Sequence, residues 1–307
     1  MFGEASGKGL ISIEDWSLWR IEACLERARG IFEARRRGEP IPYKVEGKTL
    51  ATLFYEPSTR TRVSFELAAQ ELGMKVLSIQ AAASSVTKGE SLLDSVRTLE
   101  AMGVDVIVLR HPLSGAPAFV AGHSRAAIIN AGDGMHEHPT QALLDAFTVW
   151  RAKGRIQGLT VAICGDVLHS RVARSDALLF SRFGCEVRFV GPLALLPRNP
   201  SALGARCFSD MREGLAGADV VIALRLQKER MDSALVPSLA EYAKRYGINS
   251  ASLALAKPDA VVLHPGPMHR GVEISEEVIE SERALIFTQV EAGVAVRMAL
   301  LMDVVGE

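Results

Sequence analysis

Thr49-Leu50-Ala51-Thr52-Leu53-Phe54-Tyr55, followed by Glu56-Pro57-Ser58-Thr59-Arg60-Thr61-Arg62, changes character at one point, and the fold is read from that change. Up to Tyr55 the residues are apolar and β-prone. From there on, Val63, Leu67, Ala68 and Leu72 recur at helical spacing until Gly73 stops them. A strand therefore hands over to a helix. The hydroxyls of Ser58, Thr59 and Thr61 and the guanidiniums of Arg60 and Arg62 fall at its first turn. Unpaired N–H groups and the positive end of the helix dipole already favour a phosphate there, and the arginines add charge-assisted donors. A plain capped turn explains less, because positive charge in the first turn opposes the dipole unless an anion neutralises it.

The same handover recurs along the chain. Short apolar runs at Lys75 to Ile79, Val104 to Leu109, Ala126 to Asn130, Leu159 to Cys164, Glu186 to Val190, Asp219 to Leu224 and Ala260 to Leu263 read as strands, with amphipathic stretches between them. This alternation predicts an α/β fold. Several runs are apolar at nearly every position, as parallel strands covered by helices on both faces require. The chain divides best around Trp150 to Gly158, where a Leu- and Ala-rich helix ends in Arg151-Ala152-Lys153-Gly154-Arg155 and a fresh strand follows. The expectation is two domains, 1–150 and 151–282, each an open parallel sheet with helices on both faces. A C-terminal helix of about 283–307 would pack back on the first. No repeat or low-complexity segment is visible. Neither G-x-G-x-x-G nor G-x-x-x-x-G-K-[ST] occurs, which removes the familiar nucleotide-binding turns.

The 307 residues are 48% hydrophobic, enough to fill the cores of two domains. Lys and Arg number 35 against 36 acidic residues, so the charge balance gives no reason to expect nucleic acid or an anionic membrane as partner. Cys24, Cys164, Cys185 and Cys207 form no C-x-x-C pair and suit reduced thiols in a cytoplasm. The first thirty residues hold no unbroken apolar run, so neither a signal peptide nor a membrane span is read there.

Polar residues gather at expected strand ends, where open α/β sheets bind ligands. Ser84-Ser85-Val86-Thr87-Lys88-Gly89-Glu90 by itself reads as a surface loop. Arg110-His111-Pro112 ends an apolar strand and would aim a second guanidinium at the edge that carries Arg60. In Asp133-Gly134-Met135-His136-Glu137-His138-Pro139-Thr140-Gln141, Pro139 opens a helix. Its His136 and His138 lack a third partner for a metal and read as structural or substrate-polarising. In the second half, Gly165 to Arg171 and Arg225 to Arg230 each place arginines after a strand, suggesting a second anionic ligand that faces the first across an interdomain cleft. Finally, His264-Pro265-Gly266-Pro267-Met268-His269-Arg270 has a prolyl-stiffened backbone, with Gly266-Pro267 a candidate cis bond.

With these residues assembled, the sequence resembles the aspartate/ornithine carbamoyltransferase family over nearly its whole length. Phe54 to Arg62 looks like the family's carbamoyl-phosphate motif, and His138-Pro139-Thr140-Gln141-Ala142-Leu143-Leu144-Asp145 looks like its second motif. The resemblance implies that Ser58, Thr59, Arg60 and Thr61 hold the phosphate of carbamoyl phosphate. It implies that Arg110 and His138 join Thr61 on the carbonyl oxygen, and that Gln141 binds the carbamoyl amide. Arg60, Thr61, Arg110 and His138 would be the catalytic set, with Gly266 and Pro267 supplying backbone contacts to the substrates. It further implies a homotrimer in which Ser84 and Lys88 reach the site of the adjacent subunit, Lys88 also touching L-aspartate.

Arg171, Arg225 and Gln227 look like contacts to L-aspartate, whose two carboxylates each suit a planar cationic fork. Glu56 would pair with Arg171 and Arg230 on domain closure. Ornithine members carry a His-Cys-Leu-Pro motif, and no cysteine stands near His264. The more familiar His-Pro-Leu-Pro-Arg appears here with Gly266 for leucine and with Arg270 two places later, which leaves the role of Arg270 open. The implied reaction carbamoylates the α-amine of L-aspartate without cofactor or metal, an early step of de novo pyrimidine biosynthesis. A higher assembly with a regulatory chain or a dihydroorotase stays open. Two rivals remain, a transferase for another amino acid and an inert scaffold. The joint presence of Arg60, Thr61, Arg110, His138, Arg171 and Arg225 argues against the second.

Overall fold

The structure is a computed structural model describing residues 9–41, 43–80, 90–227 and 238–306. It divides into two compact units, residues 1–144 with 290–307, and residues 145–289.

The first unit contains α1 (Leu18–Arg37), β1 (Thr49–Phe54), α2 (Thr59–Glu71), β2 (Lys75–Gln80), α3 (Leu92–Ala101), β3 (Val106–His111), α4 (Ala116–Ala121), β4 (Ala127–Asp133) and the start of α5 (Pro139–Lys153). Its sheet has the order β2-β1-β3-β4, and every pairing is parallel. Ala51, Leu53, Ile107, Leu109 and Ile128 from the strands pack with Val96, Leu99 and Val120 from α3 and α4. Burial on that scale, at about 25 cal/mol per Å² of apolar surface, is what holds helices this short in place.

The second unit takes in the rest of α5, then β5 (Thr160–Cys164), α6 (Arg171–Arg182), β6 (Glu186–Val190), β7 (Ala205–Phe208), α7 (Met211–Leu215), β8 (Val220–Ala223), α8 (Leu239–Tyr246), α9 (Ser250–Leu253), β9 (Val261–Leu263), α10 (Glu276–Ile279) and the start of α11 (Ile286–Val305). Its order is β7-β6-β5-β8-β9, again all parallel. Ala162, Cys164, Val221, Ala223 and Val262 form a core with Leu215, Leu253, Ile274 and Val278.

The expected α/β class with two helix-flanked parallel sheets is what the chain adopts. One strand escaped the sequence reading. β7 is only four residues long, lies at the sheet edge, and carries Arg206, which pairs with Glu186 and stacks 5.6 Å over Phe208. Short edges carrying charge resist pairing with other chains, and the same features hide them from hydrophobic periodicity. The cysteines are free thiols. Burial pushes Cys24 up to about 12 and Cys185 up to about 11, so both stay protonated and unreactive. Among the described residues, no helix is long and apolar enough to cross a membrane.

Candidate active site

In each sheet the chain runs outward from its first strand in one direction and then returns to build in the other. In the first unit this reversal falls between β1 and β3, and in the second between β5 and β8. The loops after such neighbours diverge and leave a crevice at the carboxyl ends of the strands, the usual ligand site of open α/β sheets.

At the first crevice, β1 and β3 pair with Phe54 opposite Arg110, and Tyr55 donates its N–H to the Arg110 carbonyl at 2.9 Å. Residues 56–61 therefore leave the sheet beside Arg110. Its Nη1 donates to the Ala131 carbonyl on β4 at 3.3 Å, and its Nε stands 3.5 Å from Glu56 Oε2. Ser58 is the N-cap of α2, yet its side chain makes no capping hydrogen bond. Ser17, Ser91, Ser170, Ser238 and Ser275 all cap their helices. The Ser58 hydroxyl and the first-turn amides of α2 thus keep their capacity for an anion. Thr61 is buried, while Thr59 and Arg60 are exposed. Arg62 is drawn elsewhere, its Nη1 3.3 Å from Ser78 Oγ on β2 and its Nε 3.9 Å from Glu66. The two guanidiniums that the sequence groups together are separated by the helix.

The loop after β4 brings His138 and Gln141, both buried, to the start of α5. Asp133 organises this loop, although sequence reasoning gave it no role. Its carboxylate accepts N–H groups of Gly115 at 2.7 Å and Glu137 at 3.0 Å and the Asn130 amide at 3.0 Å, and His136 Nδ1 lies 3.1 Å away. Burial alone would raise its pKa, but these bonds together hold the carboxyl below its usual range. At Gly134 φ is 47°, and a Cβ would collide with Ser114, so only glycine lets the loop turn there. His136 is thereby tied to Asp133, whereas His138 Nδ1 lies 3.3 Å from Thr140 Oγ1. Among the described residues, no group of three or more His, Cys, Asp or Glu could hold a metal. Next to Arg110, His111 accepts the Leu113 N–H at Nδ1 and packs 4.8 Å from the Tyr55 ring. Its burial lowers its pKa.

At the second crevice Asp166 is the hub. Its Oδ1 meets His169 Nδ1 at 2.7 Å, and its Oδ2 accepts the backbone N–H of Gln227 at 3.1 Å. One fully buried carboxylate thereby ties the loop after β5 to the segment after β8. The sequence shows an Asp after a strand, which signals a sheet-edge residue, but its partner lies too far along the chain to be read. Ser170 caps α6 and makes buried Arg171 its first residue. Arg225 and Gln227 are half-buried, flanking Leu226, which is anchored against Leu195 and Tyr242.

The segment after β9 completes this unit. His264 is buried, gives its N–H to Gln289 Oε1 at 2.9 Å, and accepts the Gly266 N–H at Nδ1 at 2.8 Å. The Gly266-Pro267 bond is cis. Glu273, also buried, has Oε1 3.9 Å from His264 Nε2 and 3.7 Å from His269 Nδ1. Arg270 is held by Glu276, with Glu280 3.9 Å away. Ser84, Lys88 and Arg230 lie outside the described residues.

Hydroxyls, a helix N-terminus and Arg110 at one edge suit a compact phosphorylated ligand, and arginines beside a fixed amide at the other suit carboxylates. Comparisons with known proteins agree. Residues 8–151 match the family described as aspartate/ornithine carbamoyltransferase, carbamoyl-P binding domain, and residues 157–304 match its Asp/Orn binding domain. An aspartate carbamoyltransferase catalytic subunit of Sorangium cellulosum is 55% identical over 97% of this chain and 93% of its own length. One from Pelotomaculum thermopropionicum is 54% identical over 98% and 97%. Among solved structures, aspartate transcarbamoylase of Trypanosoma cruzi with carbamoyl phosphate and aspartate has a TM-score of 0.87 at 34% identity, covering 98% of this chain and 97% of that one. Ornithine carbamoyltransferase of Pyrococcus furiosus has a TM-score of 0.85 at 29% identity, covering 96% of each chain.

Proposed function

The chain belongs to the aspartate/ornithine carbamoyltransferase family, and we infer that it carries the carbamoyl group of carbamoyl phosphate to L-aspartate, giving N-carbamoyl-L-aspartate and phosphate. The observation that supports this reading most is the meeting of the uncapped start of α2 with Arg110 at the β1/β3 reversal. We assign residues 1–150 to carbamoyl phosphate and residues 151–282 to aspartate. The reaction serves pyrimidine biosynthesis in the cytoplasm, in a homotrimer whose neighbouring subunits lend Ser84 and Lys88.

The neutral α-amine of aspartate attacks the carbonyl carbon, forming the C–N bond as the C–O bond to phosphate breaks. Negative charge grows first on the carbonyl oxygen and then on the departing phosphate. Fixed donors that meet this charge only as it develops lower the barrier. Ser58, Thr59, Arg60 and the α2 amides take the phosphate, while Thr61, Arg110 and His138 take the carbonyl oxygen. A Thr140 hydroxyl donating to His138 Nδ1 leaves the imidazole proton on Nε2, the tautomer that can donate to that oxygen. Gln141 holds the carbamoyl amide, and Gly266 and Pro267 add backbone contacts. Arg171, Arg225, Gln227 and Lys88 hold aspartate. The leaving phosphate accepts the amine proton. Holding two reactants in line can itself supply roughly 7–11 kcal/mol of the barrier, so no cofactor is called for. Product analysis after incubation with labelled carbamoyl phosphate and aspartate tests the assignment.

A further inference from the structure

Asp145 lies on α5 and Asp176 on α6, both fully buried. Their carboxyls lie beside each other, and the Asp176 oxygens meet no donor among the described residues. Two ionised carboxylates are acceptors only and repel at close range, so the buried pair favours a proton on one of them. Burial, then the neighbouring Asp145 charge, pushes the Asp176 carboxyl well above its usual range, in keeping with that proton. The Gln289 side chain of α11 joins the pair to a loop. Its Nε2 donates to Asp145 Oδ1 at 2.6 Å, and its Oε1 accepts the His264 N–H at 2.9 Å. The reversed amide would set oxygen against carboxylate and N–H against N–H, so only one orientation fits. From His264 the chain of bonds continues through Nδ1 to the Gly266 N–H.

We propose that Asp145 and Asp176 share a single proton and act as a positioning pair, setting the His264–Pro267 loop for substrate through the Gln289 amide. The pair touches no reacting atom. It fixes one end of a bond chain whose other end is the backbone of Gly266. The proposal rests on the reading of Gly266 and Pro267 as substrate contacts.

Three variants of the full-length protein test it by infrared spectroscopy and steady-state kinetics. Gln289→Leu removes both ends of the tether at similar volume. It is expected to raise KM for carbamoyl phosphate about tenfold, the scale of one lost hydrogen bond to a charged group, with kcat changed less than about threefold. Asp176→Asn keeps a donor to ionised Asp145, so it is expected to retain the wild-type KM while losing the carbonyl stretch of a protonated carboxylic acid seen in the wild type. Gly266→Val strains the loop itself, since φ there is 62°, and should raise KM by a direct route. An unchanged KM in Gln289→Leu alongside a raised KM in Gly266→Val overturns the tether and leaves the loop's substrate role standing. Unchanged KM in both overturns both. Loss of no protonated-acid band in Asp176→Asn, or a KM rise there equal to that of Gln289→Leu, overturns the shared proton.

Discussion

Asp166 accepts the backbone N–H of Gln227 at 3.1 Å across 61 positions of sequence, and so binds the loops of β5 and β8 into one unit. The other oxygen holds His169 two positions before Arg171. The groups proposed to bind aspartate are thus set by a residue that need not touch it. Asp166→Ala should lower kcat/KM for aspartate about ten- to a hundredfold, the cost of losing hydrogen bonds to a charged acceptor. Calorimetric binding of phosphate, which we propose the first unit holds, should be unchanged. Equal losses for both ligands would mean that Asp166 serves general stability.

Arg60→Ala should reduce turnover by about a hundredfold or more, as removal of a transition-state donor does, and leave thermal unfolding near that of the parent. Arg60 is exposed, and its removal opens no core. Arg62→Ala is the matched control. Its guanidinium bonds to Ser78 and lies near Glu66, so the substitution should affect stability more than turnover.

Burial lowers the His111 pKa below its usual 6.5. In the interval between the lowered folded value and 6.5, the unfolded chain binds more protons than the native one, so stability rises with pH there. The contribution of neutral His111 is complete above pH 6.5 and is lost as pH falls toward the folded value. Denaturant unfolding between pH 5 and 7.5 should show this acid-side loss, and His111→Gln should flatten it. A steeper loss in the variant would contradict the assignment.

Lys88→Ala and Arg60→Ala subunits, each inactive, should recover activity when mixed and allowed to exchange. In the proposed trimer, a hybrid would hold some sites in which intact Arg60 meets intact Lys88. Confirmed exchange without recovery would remove the shared-site proposal.

The parallel αβ pattern was legible because it is local: apolar runs of strand length, helical spacing, and glycine stops such as Gly73 all lie within a dozen residues of one another. β7 was not, because four residues with exposed Arg206 among them are too few to show a strand periodicity. The opening cluster was half legible. Arg60 and Arg62 are indistinguishable in sequence, but two residues turn about 200° around a helix, which sends Arg62 toward Ser78. The hubs Asp133 and Asp166 stayed hidden for another reason. Their chemistry is ordinary, and their importance lies in backbone N–H groups that only the folded chain brings to them. The pairing of Glu56 with Arg110 was equally hidden, since the strand register that aligns them is a property of the sheet.

Which amino acid accepts the carbamoyl group is tested most directly by competition between candidates. Purified protein should be given labelled carbamoyl phosphate with equal concentrations of L-aspartate and L-ornithine, and the products separated. Label in N-carbamoyl-L-aspartate, abolished by Arg60→Ala and absent from citrulline, is the result expected. Label in citrulline, or in neither product, would contradict it.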